Sequence, residues 1–148
     1  LKGVEILEPT YEIMPEDLQA AAARAGITIQ PGDAVLIHTG WGKLWGVDNA
    51  RYNASCPGIG VKSAEWLASK DVMLLGADNF PVEIAPNPDK SVSLPVHQIA
   101  LVVNGIFLLE NMKLDELAEK KVYEFALAVQ PLKVKGGTGS TVAPVALY

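Results

Sequence analysis

Three short apolar runs constrain the fold of this chain more than any other feature. They are Ala34–Thr39 (AVLIHT), Val72–Leu75 (VMLL) and Ile106–Leu109 (IFLL). The first run is almost continuously apolar, which is the pattern of a strand buried on both faces rather than one with a wet side. Helical patterns lie between and before the runs. Met14-Pro15-Glu16-Asp17 opens one, with proline tolerated in the first turn and acids suited to the helix dipole. Leu18, Ala21, Ala22 and Ala25 carry its period and Gly26 stops it. Val61–Ser69 and Val96–Val103 form two more. Alternation of this kind predicts an α/β fold with a mixed sheet and flanking helices.

Weaker patterns surround that frame. Lys2–Leu7 has the composition of an edge strand ended by Pro9. Gly40–Ser55 is a long aperiodic loop holding Trp41, Trp45 and Tyr52. Loops of that length are functional or disordered, and the aromatics argue for order. They suit an aromatic packing patch, a pocket wall or a subunit contact. Phe80–Pro95 is a second, proline-rich loop. Leu114–Leu117 begins a short helix that ends at Lys120 and Lys121. Tyr123–Val134 alternates like a long strand, Gly136–Ser140 (GGTGS) is a glycine turn, and Val142–Leu147 is a terminal strand. The GGTGS turn lacks the spacing and the following helix of a phosphate loop. No repeat or linker divides the sequence, so residues 1–148 are expected to form one domain.

Composition narrows the partners. The chain has 148 residues and a net charge of −5 with no basic face, which argues against nucleic acid. No apolar run reaches the roughly 18 residues of a membrane span. The mean hydropathy of +0.21 is high for a soluble monomer and predicts a homo-oligomer. Cys56 is the one cysteine, so neither a disulfide framework nor a cysteine zinc site is available. That fits a reducing, cytoplasmic setting. Cys56 itself reads as a small semi-buried residue.

The groups able to do chemistry are few. His97 and Glu110 sit on consecutive packed elements, helix then strand. Asp78 and Asn79 follow the second apolar run directly, where open α/β sheets gather ligands. An aspartate there is equally a cap for a turn. His38, at the end of the first run, is the other imidazole. His97 alone could be a satisfied core histidine, and Glu110 could cap the next turn. As a pair they suit a metal ligand set or a general base, although a catalytic metal needs about three protein ligands.

Four ordered blocks carry a resemblance over essentially the whole chain. They are PGDAVLIHTGWG (31–42), PGIGVKSAEWLASKDVMLLGADN (57–79), LPVHQIALVVNGIFLLENMKLDELA (94–118) and PLKVKGGTGSTVAPVAL (131–147). They resemble the C-terminal half of the cyclase family of metal-dependent hydrolases, which includes kynurenine formamidases and isatin hydrolase. The resemblance implies a partial swivelling β/β/α fold and hydrolysis of an amide- or lactam-type small-molecule substrate. It implies a divalent metal, zinc or manganese, that activates water. His97 in PVHQ and Glu110 in LLEN match the family's second set of metal or supporting groups. Trp41, Trp45, Asp78 and Asn79 would shape the substrate pocket. His38 stands where many relatives have arginine. The family's H-x-G-T-H-x-D metal motif does not occur in this sequence. A fragment, one half of a two-chain enzyme, or a non-catalytic truncated module that self-assembles or binds a small ligand would each account for that.

Overall fold

Pro15 begins the first helix because its missing N–H would have no partner in a first turn anyway. The computed structural model describes residues 1–148. Strand β1 (Glu12–Ile13) runs into α1 (Pro15–Ala25). Asp17 Oδ2 accepts the Met14 N–H at 3.1 Å at its start. Gly26 ends it at φ 73°, donating to the carbonyls of Ala22 and Ala23. Beyond it come β2 (Ala34–Ile37), a 3₁₀ turn (Trp41–Leu44), α2 (Asn49–Ala54), β3 (Gly58–Ile59) and α3 (Val61–Ala68). Then follow β4 (Leu74–Ala77), α4 (Pro95–His97), which continues as a π-helical segment (Gln98–Asn104), and β5 (Phe107–Leu109). The chain ends with α5 (Asp115–Glu119), β6 (Ala126–Ala128) and β7 (Val145–Leu147).

The three apolar runs become one parallel sheet in the order β2-β4-β5. Leu36 pairs with Gly76, and Gly76 with Leu109. The centre of the sheet is β4, buried at every position. Leu75 and Ala77 point to one face, where they pack with Leu18, Leu67, Val96 and Ala100 from the helices. Leu74 points to the other, against Leu109, Met112 and Leu114, with Val129 and Val142 at the margin. Burial of each large aliphatic side chain there contributes about 1.5–3 kcal/mol. Gly76 is required by this second face, because a Cβ would lie 2.7 Å from Leu36 Cδ2 and 2.8 Å from Met112 Sδ. No helix is long and apolar enough to cross a membrane.

The mixed α/β character lies between sheets rather than within one. A parallel pair, β1 with β3, and an antiparallel pair, β6 with β7, stand beside the central three strands. Several expected boundaries move. Lys2–Leu7 is not a strand: Gly3 turns at φ 70°, and the segment's ladder-like contact is a Leu7 N–H to Thr39 carbonyl bond of 3.0 Å. The long strand expected over Tyr123–Val134 shrinks to Ala126–Ala128, the three residues that β7 pairs. Pro131 offers no N–H to extend that ladder. Gly40–Ser55 is not aperiodic, since it contains the 3₁₀ turn and α2. The second apolar run pairs two residues later than expected, its register with β2 beginning at Leu74 rather than Val72.

Candidate functional site

Because β2, β4 and β5 are parallel, their carboxyl ends share one edge. The residues just past those ends are His38 and Thr39, Asp78 and Asn79, and Glu110 and Asn111. The sequence therefore delivers most of its polar candidates to one rim.

Asp78 is buried and locks the first of the two loops. Its Oδ1 accepts the Thr39 N–H at 2.9 Å and the Thr39 hydroxyl at 2.6 Å. Its Oδ2 accepts the N–H groups of Gly40 at 2.8 Å and Gly42 at 3.4 Å. Asp78 also faces a cavity of about 320 Å³, with Lys43, Trp45, Tyr52, Asn111 and Asp115 among its walls. His38 Nε2 stands 3.4 Å from Asp115 Oδ1 and 3.8 Å from Asp78 Oδ2. Trp45 is exposed, and its ring meets Tyr52 edge-on at 5.2 Å. Trp41 is fully buried, and its indole N–H donates to the Tyr52 carbonyl at 3.2 Å. Asn79 is buried as well, donating to the Pro57 carbonyl at 2.6 Å. The two tryptophans thus part company, one in the core and one at the cavity.

His97 and Glu110 do meet. His97 Nε2 is 3.3 Å from Glu110 Oε1. The other side of the imidazole rests on Glu83, which no motif in the sequence singles out. Glu83 is 1% exposed. Its Oε2 accepts the Val96 N–H at 3.2 Å, and its Oε1 accepts the His97 N–H at 3.1 Å. The same Oε1 is 2.6 Å from His97 Nδ1. The loop holding Glu83 is fastened to β3 and the residues before it. Ile84 donates to Ile59 at 3.0 Å, and Cys56 and Ala85 exchange bonds of 2.7 and 3.1 Å. The one sequence signal for Glu83 was an acid flanked by apolar residues in FPVEIA. Burial raises the Glu110 carboxyl above its ordinary value, and the Glu83 charge adds to this, while His97 pulls the other way. An apolar groove of about 560 Å³ opens beside Glu110, between Leu36 and Leu109 of the sheet and Phe125, Leu127 and Val145 of the terminal pair.

These donors do not by themselves fit a divalent metal. His97 Nδ1 is taken by Glu83, which leaves His97 Nε2 and Glu110 where catalytic zinc uses three protein ligands. Asp78 is committed to the Thr39–Gly42 backbone. No group of three or more His, Cys, Asp or Glu side chains is placed to hold an ion. What the arrangement can do unaided is hold a proton between an imidazole and a carboxyl group at the rim of a sheet.

A parallel three-stranded sheet with a carboxylate–histidine–carboxylate row at its carboxyl edge defines an α/β protein. The profile of the cyclase family matches residues 4–84, more than half of the sequence, and the chain belongs to that family. It is 27% identical over 145 residues to isatin hydrolase of Roseibium aggregatum, covering 95% of this chain and 54% of that protein. Among solved structures, one described as a novel cyclase superposes with a TM-score of 0.85 at 30% identity, covering 97% of this chain and 49% of the other. An isatin hydrolase bound to the product analogue thioisatinate gives 0.81 at 26% identity, with 95% and 54% covered. The chain spans about half the length of the relatives it matches.

Proposed function

We propose that this chain carries one side of the active site of a hydrolase that cleaves amide- or lactam-type C–N bonds, with His97 and Glu110 as the groups that handle the proton. The observation that carries the reading is the 3.3 Å approach of His97 Nε2 to Glu110 Oε1 at the carboxyl edge of the sheet. In this reading His97 Nε2 takes a proton from the attacking water and Glu110 shares it before it passes to the leaving nitrogen. The groove beside Glu110 receives the apolar part of the substrate. Trp45 and Asp78, with Asn79 behind them, shape the smaller polar cavity. The relatedness to isatin hydrolase supports a cyclic amide as the substrate class. A divalent ion, zinc or manganese, belongs to this reading only with ligands beyond those of residues 1–148, and no step is assigned to it. Self-association is part of the same proposal, supported by exposed Val102, Val103 and Phe107.

The test is an assay of the purified protein on isatin and on an N-formyl aryl amine, with and without added zinc or manganese. Turnover that His97→Ala lowers by about 10²–10⁴-fold is expected, the usual contribution of a general base. No turnover on either substrate under any condition would leave the non-catalytic module as the better account.

A further inference from the structure

Glu83 is buried, charged by type and in contact with two backbone donors and the His97 ring, yet it touches neither the groove nor the polar cavity. Its hydrogen bonds restrict what it can be doing. The backbone N–H groups of Val96 and His97 can only donate, so both carboxylate oxygens are already acceptors. The 2.6 Å contact with His97 Nδ1 is then completed by a hydrogen carried on the ring nitrogen. A bare Nδ1 would set a lone pair against a carboxylate that already accepts two donors.

We infer that Glu83 is a positioning residue that holds a hydrogen on His97 Nδ1, so that Nε2 is the ring nitrogen left to exchange a proton with Glu110 at the rim. Because Glu83 grips the ring and the backbone N–H of the same histidine, it fixes tautomer and orientation together. The main chain enforces this. Gly58 lies so close to the Glu83 backbone that a Cβ there would fall 2.3 Å from the Glu83 carbonyl carbon. The main chain at Glu83 is thus pressed against β3.

The catalytic consequence rests on the function proposed above, but the tautomer does not. Long-range ¹⁵N–¹H NMR of the protein reads which ring nitrogen carries hydrogen. The protein has two histidines, so His38→Gln assigns the His97 signals. At a pH well above the ordinary imidazole value of about 6.5, His97 Nδ1 should carry the hydrogen. In Glu83→Ala no acceptor is left behind Nδ1, and the hydrogen should move to Nε2. With a hydrolysable amide, that variant should lose about 10²-fold or more in kcat with KM little changed, as for a base held in the wrong tautomer. Glu83→Asp should restore the Nδ1 hydrogen in part. A bare Nδ1 in the wild type, or a hydrogen still wholly on Nδ1 in Glu83→Ala, overturns the assignment whatever the activity. Absence of turnover with the predicted tautomers overturns the proposed reaction and leaves the positioning intact.

Discussion

Asp78 shows how one side chain can be structural and face a cavity at once. Its carboxylate collects two N–H groups and a hydroxyl within 2.9 Å and a third N–H at 3.4 Å. Asp78→Asn swaps one acceptor for a donor that must face those N–H groups, so about 1–3 kcal/mol of stability should be lost. Urea unfolding followed by tryptophan fluorescence measures it, and an unchanged midpoint would mean that the loop does not depend on this carboxylate. Cys56 makes the opposite point. Burial pushes its thiol from 9.0 up to about 12. The folded state therefore keeps a proton that the unfolded state releases, and stability should fall as pH rises from about 9 toward about 12. Urea midpoints across that range should decline less steeply in Cys56→Ala. Thiol reagents should leave native Cys56 unmodified, because the thiolate is the reactive form. Fast labelling of the native protein would contradict the burial.

Between elements the decisive contacts are close backbone approaches. A Cβ on Gly58 would sit 2.3 Å from the Glu83 carbonyl carbon, whereas one on Gly60 would meet the Glu12 carboxylate at 2.0 Å. The first obstacle is main chain and the second is the end of a flexible side chain. Gly58→Ala should then displace the Glu83 loop and lower both stability and turnover, while Gly60→Ala should cost much less. Thermal melts and kinetics of the two variants, run side by side, check this, and equal effects would reject it. The same contrast explains what could be read from the residues in order. The helix Pro15–Ala25, the three apolar runs and the His97–Glu110 encounter follow from local period, caps and the parallel arrangement. Glu83 could not be found this way, since its partners lie 13 and 14 residues on and are reached through a folded-back loop. Strand lengths failed for a related reason. A strand extends as far as its partner does, and β6 has partners for three residues.

At the scale of the whole molecule one run of exposed apolar side chains stands beside an outer strand. Val102 is 80% exposed, Val103 75% and Phe107 62%, and all three lie along the end of the π-helical segment and the start of β5. The strand β5 is also an outer strand of its sheet, so Phe107 stands on a strand with one edge unpaired in that sheet. Free edges beside apolar surface are sites of association in proteins that leave them uncharged. The proposed self-association therefore has a definite location. Light scattering at micromolar concentration should report a dimer or larger species. Val103→Lys combined with Phe107→Lys should shift it toward monomer, because two charges would have to be desolvated in the contact. The fold should survive, since neither side chain belongs to the buried clusters. A wild-type protein that stays monomeric would remove the proposal, and an oligomer indifferent to both lysines would place the contact on another face.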